Sequence, residues 1–292
     1  MRHAADLPVT AARRAGDSRL PQPFSMTTPA RPLIPLAWHA AGALLLEEAR
    51  AGREAPLIVG SKGTGKSYFV KSSASPRGTP RRLVYLSVGD VRSGAGLLTA
   101  VLDSLHDDYA TSLDGMLSQT SGRARRRGAT HLLKLCAAEL HRLDIGALAL
   151  DEAPFLSTPA LAHAMQLVDH CAERFGHKLG VVLISTDQRH KALQKTGELG
   201  QRISTVLEVP PLTGEQVEAA LLALSGPVAR CLASAGVRAR AEVMDALINK
   251  VDGAVRRLDR IVQRAEGLAA HRGTAMRLDD VKTAVRLQAD SI

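Results

Sequence analysis

The sequence predicts an α/β protein in which a parallel five-stranded sheet, with helices on both faces, is followed by a small all-helical domain. Up to about residue 210, short apolar segments alternate with amphipathic helical ones, and such alternation implies right-handed crossovers between parallel strands. After Thr213 the apolar residues recur only at helical spacing, so that part should contain no strand. We expect the α/β domain over residues 33–211 and the helical domain over residues 212–292.

The strands are expected where apolar residues run continuously, as they do in a sheet that is buried on both faces. In chain order the predicted strands are Pro56–Gly60, Arg82–Val88, Ile145–Leu150, Leu179–Ile184 and Val206–Val209. Helical periodicity predicts the following helices: Leu36–Arg50, one that begins at Lys66, Leu97–Leu105, Thr130–Leu143, Pro159–Phe175, Glu215–Leu224, Arg238–Lys250, Ala254–Ala270 and Leu278–Leu287. Residues 1–32 are rich in Ala, Arg and Pro, which predicts a disordered basic arm.

Composition narrows the class of partner. The chain of 292 residues is 45% hydrophobic, and its 38 Lys and Arg against 29 Asp and Glu give a net charge of +9. This basic balance favours a polyanionic partner, nucleic acid first. Only 3% of the residues are aromatic, which counts against stacking of single-stranded bases and favours backbone contacts to double-stranded DNA.

The sequence also indicates a compartment. No apolar stretch is long enough to cross a bilayer, and the first residues lack the apolar segment of a secretory signal. Cys136, Cys171 and Cys231 are widely spaced and form no CxxC pair, so we interpret them as core residues in a reducing environment. A cytoplasmic protein without a membrane partner is the expectation.

A glycine-rich loop follows the first predicted strand and leads into a helix. It fits the pattern G-x-x-x-x-G-K-[ST] in full, and its residues are Gly60, Ser61, Lys62, Gly63, Thr64, Gly65, Lys66 and Ser67. Glycines let backbone N–H groups converge on phosphate oxygens, and the positive end of the next helix favours the same anion. Lys66 can reach the β- and γ-phosphates of a nucleotide, and Ser67 can offer its hydroxyl to magnesium.

Two adjacent acids end the third predicted strand. Asp151 and Glu152 follow the apolar segment Leu148–Leu150, and Asp151 lies 85 residues after Lys66 (151 − 66), which leaves room for two strand–helix units between the two motifs. Asp151 is expected to hold magnesium, directly or through water, and Glu152 to act as the general base that polarises the attacking water.

Together the loop and the acids resemble the Walker A and Walker B motifs of P-loop NTPases. The adjacent glutamate, the five strands and the helical tail resemble AAA+ ATPases, over about residues 36–290. Within that class the layout is similar to the transposition ATP-binding proteins of the TniB and Mu transposition protein B type. The resemblance implies the P-loop NTPase fold, ATP and Mg²⁺ as cofactors, ATP hydrolysis, and ATP-dependent assembly with further copies of the chain.

The AAA+ resemblance also implies three residues outside the two motifs. A polar sensor after the fourth strand would be Thr186, with Ser185 as the alternative. An arginine presented to the γ-phosphate of the neighbouring subunit would be Arg202, just before the fifth strand. The G-x-x-R pattern of the helical domain, which AAA+ proteins use as a lid, would place Arg256 at the nucleotide, with Arg257 as the alternative.

A second nucleotide motif competes with this interpretation. Residues 249–252 read Asn-Lys-Val-Asp, which matches the guanine-recognition pattern of GTPases. In GTPases that pattern follows a buried strand, whereas acids at helical spacing precede it here, and Pro154 stands where a GTPase has glycine after the third strand. We therefore expect ATP rather than GTP.

The densest basic run lies between two glycines. It consists of Arg123, Arg125, Arg126 and Arg127, and a flexible arginine loop suits contacts to DNA phosphates with little sequence preference. By resemblance, the protein should act on DNA in transposition target selection or DNA loading and engage a transposase. The alternative is an ATP-gated scaffold or switch that recruits a protein partner with little turnover.

Overall fold

The computed structural model describes residues 34, 36–53, 55–74, 80–107, 128–186, 191, 193 and 197–288. By internal contacts the chain divides into residues 1–31 and 32–292, and all of the described residues belong to the second unit. A domain boundary at residue 211 remains a prediction. Among the described helices, none is long and apolar enough to cross a membrane.

Five parallel strands form one sheet in the order β2-β3-β4-β1-β5. The strands are β1 Ala55–Gly60, β2 Arg82–Ser87, β3 Ile145–Asp151, β4 Gly180–Ser185 and β5 Ile203–Val209. The predicted parallel five-stranded sheet is therefore confirmed. Because β4 lies between β3 and β1, the end of β4 emerges between the acids that end β3 and the loop that follows β1.

Helices cover both faces of the sheet, as predicted. The helices of this part are α1 His39–Arg50, α2 Lys66–Ser72, α3 Gly94–Asp107, α4 Ala129–Arg142, α5 Thr158–Phe175 and the short α6 Gly197–Arg202. One core lies between the sheet and α1 and α2, and includes Trp38, Ile58 and Phe69. The larger core lies under α3, α4 and α5 on the opposite face. Burying both faces explains why β3 and β4 are buried along their whole length.

The C-terminal part is helical throughout its described length. Its helices are α7 Gly214–Leu224, α8 Gly226–Ser234, α9 Val237–Val251, α10 Val255–Arg272 and α11 Leu278–Leu287. They enclose a core of their own, to which Val217, Leu247 and Leu258 contribute. Ile34, from before the first helix, is buried in this same core. The start of the described chain thus packs with its end.

Several elements differ from the sequence expectation; among them, the short helix α6 was not predicted. Helix α8 was not predicted, because Gly226 and Pro227 suggest a turn. Proline is, however, favoured in the first turn of a helix. The Ser225 hydroxyl caps α8 by accepting a hydrogen bond from the Val228 N–H at 3.3 Å. Strand β5 begins at Ile203 rather than Val206. Its residues alternate between half-buried and exposed, as on an edge strand, so its first half lacks a continuous apolar run.

Candidate nucleotide site

The glycine-rich loop, which we call the P-loop (Gly60–Ser67), joins β1 to α2 at the carboxyl edge of the sheet. Gly63 and Gly65 have φ angles of 93° and 97°, a region that residues with a Cβ rarely adopt. Gly65 is the N-cap of α2, so the loop turns its backbone directly into the positive end of that helix. The local backbone is therefore suited to holding phosphate oxygens.

Lys66 is buried inside the P-loop. Its ammonium donates to the carbonyl oxygens of Gly60 and Ser61, at 2.6 and 2.8 Å, and to the hydroxyl of Thr64 at 3.2 Å. Thr64 in turn donates to the Ser61 carbonyl at 3.0 Å. The loop thus holds a positive charge at its centre, where the phosphates of a nucleotide would lie.

A tyrosine connects the P-loop to the acids that end β3. The hydroxyl of Tyr85, on the neighbouring strand β2, donates to Asp151 Oδ2 and hydrogen-bonds with the side chain of Ser67. Burial, together with the bond to Asp151 and its charge, raises the pKa of Tyr85, so the phenol remains a donor to the carboxylate. The other carboxylate oxygen accepts from Glu152 N–H at 2.9 Å. Both predicted magnesium ligands therefore meet at one hydroxyl.

Tyr85 was not among the residues expected from the sequence. An aromatic residue in a buried strand is most often a core residue, and Tyr85 does pack with the core next to α1 and α2. The Lys71 ammonium, one helical turn after Ser67, lies 5.8 Å from the centre of the Tyr85 ring, within cation–π distance. Its role depends on the pairing of β2 with β3, which sets Tyr85 opposite Ala149, two residues before Asp151.

Glu152 has an unusual backbone conformation. Its φ and ψ angles are 61° and 31°, in the left-handed region, which costs free energy for any residue other than glycine. Its carboxylate lies against Gly89, just after β2, where a Cβ would come within 2.0 Å of Glu152 Oε2. The exposed glutamate is therefore turned towards the edge strand of the sheet.

The start of α10 packs directly on the P-loop. The backbone N–H of Arg256 donates to the carbonyl of Gly63 at 3.1 Å, and a Cβ on Gly63 would lie 3.1 Å from Ala254 Cβ. The Arg257 guanidinium instead forms an ion pair with Asp252 at 3.1 Å. Of the two arginines proposed for this part, Arg256 is the one that contacts the loop.

Arg202 ends the short helix α6, immediately before β5. Its guanidinium makes two hydrogen bonds to the Asp169 carboxylate on α5, at 2.8 and 2.9 Å. The side chain is one-third exposed. The structure thus fixes the arginine at the surface of its own subunit, in a bidentate geometry that orients the planar group.

Thr186 and Ser185 stand at the end of β4. Ser185 is the last strand residue and is buried, and its hydroxyl donates to the carbonyl of Thr186 at 3.0 Å. Thr186 is half-buried, and strand order places it between the P-loop and Asp151. The predicted sensor position is thus in the site, while its role remains a prediction.

Two other motifs have different outcomes. Residues 249–251 of the GTPase-like pattern belong to α9, and Asp252 is the C-cap of that helix. The pattern thus follows a helix and not a strand, which agrees with the expectation from the sequence. The arginine run Arg123, Arg125, Arg126 and Arg127 lies outside the described residues, and its proposed role stays untested.

The residues at this edge of the sheet fit Mg²⁺ and a nucleoside triphosphate. A hydroxyl and a carboxylate, from Ser67 and Asp151, are the oxygen ligands that Mg²⁺ takes in combination with substrate phosphates. The left-handed glycines and the start of α2 supply the backbone donors for those phosphates. The charge of Lys66 adds to the same field.

Comparison with known sequences finds one family. Residues 49–193 match a family model described as an AAA domain; the match runs from the end of α1 to the segment after β4 and includes both the P-loop and the acids. No curated protein sequence matches the chain.

Solved structures share the fold at low sequence identity. The Aeropyrum pernix ORC2 protein, in ADPNP–ADP complexes, has a TM-score of 0.66 and 17% identity, covering 89% of this chain and 70% of that one. Cdc6p from Pyrobaculum aerophilum has a TM-score of 0.57 and 18% identity, over 88% and 69% of the two chains. Domain III of the Thermotoga maritima replication initiation protein DnaA has a TM-score of 0.51 and 15% identity, over 87% and 93%. Residues 49–193 are thus similar to an AAA domain, and the chain has a P-loop AAA+ fold completed by a C-terminal helical region.

Proposed function

We propose that this chain binds ATP with Mg²⁺ at the P-loop and hydrolyses it. The observation that carries the proposal is the hydrogen-bonded line from Ser67 through Tyr85 to Asp151. It joins the two motifs that phosphate and metal binding need, although they are far apart in the sequence. The ORC2 protein, which shares the fold, was solved with ADPNP and ADP, which supports an adenine nucleotide.

Each residue of the site has a role in this proposal. Ser67 and Asp151 hold Mg²⁺, which neutralises charge on the phosphates when bound. Lys66 leaves the loop carbonyls to bind the β- and γ-phosphate oxygens. Glu152 orients the attacking water as general base. Thr186, which follows β4, acts as the polar sensor residue.

Two arginines complete the site from other elements. Arg256, whose backbone already contacts the P-loop, binds the nucleotide and thereby couples nucleotide binding to the helical part. Arg202 lies on the surface beside α5 and stabilises the transition-state charge in the site of a neighbouring subunit. This role requires an ATP-dependent homo-oligomer with the nucleotide at the interface between copies.

The proposed biological setting is DNA. The net charge of +9 supports a polyanionic partner, and one protein of this fold, DnaA, is a replication initiation protein. We infer that the chain acts on double-stranded DNA as a DNA-loading or target-selection ATPase. Engagement of a transposase follows only from the resemblance to transposition ATPases.

A second candidate function is an ATP-gated scaffold with little turnover. It is favoured by the position of two catalytic candidates. The Glu152 carboxylate lies against Gly89, next to the edge strand, and Arg202 is already paired with Asp169 of its own chain.

Steady-state ATP hydrolysis with and without duplex DNA tests the proposal and separates the candidates. For a hydrolysing enzyme, Glu152→Gln lowers turnover by roughly 10²- to 10⁴-fold while ATP still raises the Tm, and Lys66→Ala removes that ATP-dependent rise in Tm. DNA-stimulated turnover supports action on DNA. Slow turnover that changes neither on addition of DNA nor in the Glu152→Gln variant supports the scaffold. Absence of any ATP-dependent change in Tm for the unsubstituted chain contradicts both.

A further inference from the structure

An ion pair joins two separate helices of the α/β part. Arg202, the last residue of α6, donates from its two terminal nitrogens to the two carboxylate oxygens of Asp169 on α5, at 2.8 and 2.9 Å. The two residues are 33 positions apart in the sequence, and we call them the 169–202 pair. Arg142, by contrast, pairs with Glu139, three residues earlier in its own helix. The 169–202 pair therefore depends on where α6 lies relative to α5.

The pair occupies the end of the guanidinium that suits a phosphate. Arginine binds carboxylates and phosphates in the same way, through two parallel N–H···O bonds from its planar group. Both terminal nitrogens of Arg202 donate to Asp169. An ATP phosphate of a neighbouring subunit can therefore bind this end of the guanidinium only after the carboxylate has left it. Asp169 and the phosphate thus compete for one group.

The two helices that carry the pair differ in stability. Helix α5 has 18 residues, its N-cap Ser157 accepts from Ala160 N–H at 3.3 Å, and Gly176 ends it in the left-handed conformation. Helix α6 has only six residues, and Gly197 and Gly200 are two of them. Short helices and glycines within helices are both unfavourable. The acid of the pair consequently belongs to a stable helix and the arginine to a weak one, so the arginine is the partner that can move.

The pair is also exposed enough to open. The side chain of Arg202 is 33% exposed and that of Asp169 is 43% exposed, and ion pairs with this much access to water contribute little free energy. The γ-phosphate of ATP carries more negative charge than one carboxylate, so it attracts the guanidinium more strongly. The pair should open where such a phosphate is within reach and should close again where it is not.

We propose that Asp169 is a latch, which holds Arg202 within its own subunit until a neighbouring subunit presents the γ-phosphate of ATP. The latch rests on the proposed role of Arg202 in trans and adds regulation to it. When ATP-bound subunits meet, the γ-phosphate displaces the carboxylate of Asp169 from the guanidinium. After hydrolysis and release of the phosphate, Arg202 returns to Asp169. The interface between ADP-bound subunits is therefore weaker than the interface between ATP-bound ones.

The experiment measures ATP turnover per subunit as a function of protein concentration. In Asp169→Asn the side chain keeps its shape but loses its charge, so Arg202 is released more readily. Half-maximal turnover should be reached at a protein concentration roughly fivefold lower than in the unsubstituted protein, the factor expected at the upper end for a partly exposed ion pair. The maximal turnover should not change. Asp169→Ala should give the same result, and Asp169→Glu, which keeps the charge, should behave as the unsubstituted protein does.

Glu139→Gln on α4 is the matched control. It removes one negative charge and breaks the hydrogen bonds with Arg142, but it leaves the 169–202 pair intact, so the half-maximal concentration should not shift. An equal shift in Glu139→Gln means that net charge alone governs assembly, and it overturns the latch. An unchanged or higher half-maximal concentration in Asp169→Asn overturns it as well. A fall in maximal turnover does the same, because Asp169 would then position Arg202 for the reaction.

Arg202→Ala separates the latch from the proposed function. In sedimentation with ATP, Asp169→Asn should promote assembly, but it should have no effect in a chain that also carries Arg202→Ala. An effect that persists without Arg202 is merely structural and overturns the latch. If Arg202→Ala alone hydrolyses ATP as fast as the unsubstituted protein, the role in trans fails and the latch fails with it. If Arg202→Ala is impaired and Asp169→Asn behaves as the unsubstituted protein does, only the latch fails.

Discussion

The two ends of the sheet both carry polar clusters, but the clusters differ in what their side chains bind. At the amino end, Arg81 donates to the backbone carbonyl of Arg50 at 2.8 Å, and its own N–H donates to Asp144 Oδ2 at 3.0 Å. His177 is buried and hydrogen-bonds through Nε2 to the carbonyl of Ile145 at 2.7 Å. Each of these hydrogen bonds involves a backbone group at the end of an element, which only the fold supplies.

At the carboxyl end the partners are ones that a ligand can replace. Lys66 binds carbonyls of a loop, and Asp151 and Ser67 share the hydroxyl of Tyr85. A polar cluster that hydrogen-bonds to the ends of helices and strands is part of the scaffold. A polar cluster that hydrogen-bonds to a loop and to hydroxyl groups is a candidate site. Substitutions at the two ends should therefore affect different measurements.

The largest effect is expected for Arg202→Ala, in the rate of ATP hydrolysis. An arginine that stabilises the transition state in trans contributes roughly 10³-fold or more, so turnover should fall by about that factor while ATP binding is retained. Arg142→Ala, which also removes a guanidinium paired with an acid of its own chain, is the control and should leave turnover unchanged.

Mixing variants shows whether Arg202 acts between subunits. In mixed oligomers of Arg202→Ala and Glu152→Gln chains, some interfaces combine an intact glutamate with an intact arginine. We expect part of the turnover to return in the mixture. If the mixture stays as inactive as its components, the arginine does not act in trans.

A scaffold effect is expected for Arg81→Gln at the amino end. The change removes hydrogen bonds to backbone carbonyls at the junction of α1 with β2, and each such bond contributes about 1 kcal/mol. The free energy of unfolding in urea should fall by about 1–3 kcal/mol, with ATP affinity unaltered. Loss of ATP affinity without loss of stability would assign Arg81 to the site instead.

Tyr85→Phe should change the requirement for magnesium. The hydroxyl orients Asp151 and Ser67, and loss of a partner that orients a metal ligand typically weakens metal binding about 10-fold or more. The Mg²⁺ concentration for half-maximal turnover should rise by about that factor, with nucleotide affinity in EDTA unchanged. Tyr68→Phe, on the exposed side of α2, is the control; an equal shift there would remove Tyr85 from the metal site.

The smallest effect concerns stability at acidic pH. Burial lowers the pKa of His177, so in the folded state the imidazole stays neutral at pH values where the unfolded chain, with a pKa near 6.5, is already protonated. The unfolded state then binds more protons, and stability falls as the pH drops below about 6.5. In His177→Gln the free energy of unfolding, measured by urea titration at pH 5 and pH 7, should differ less between the two pH values. An unchanged difference would assign the pH dependence of stability to another group, for example His39, whose pKa burial also lowers.

Much of the site follows from local sequence, because the P-loop is contiguous and its neighbours are a strand and a helix. Glycine at residues 63 and 65 is required by the left-handed backbone, and Asp151 follows an apolar strand. Tyr85 could not be found in this way, because its role depends on β2 pairing with β3, two strands that are distant in sequence. A hydrogen bond across strands is a property of register, which no single segment contains.

The rest of the fold likewise divides into features that local sequence predicts and features that depend on tertiary structure. Continuous apolar runs located the buried strands, but the edge strand β5 alternates in exposure and only half of it was expected. Helix α8 was hidden by a glycine and a proline that begin it. Arg256 and Arg257 are adjacent in sequence, and only tertiary contacts show that the backbone of Arg256 bonds the P-loop whereas Arg257 pairs with Asp252; which of the two contacts a nucleotide stays a prediction.

The burial of Ile34 among the C-terminal helices has a consequence for biosynthesis. Its neighbours in that core begin at Val217, so a ribosome releases Ile34 roughly 10–40 s before them, at about 5–20 residues per second. During that time the apolar side chain of Ile34 is exposed to water or bound by a chaperone. The helical part consequently reaches its final packing only after the segment around Ile34 and the C-terminal helices have both been released, and a fragment that begins at residue 37 should form a looser helical part.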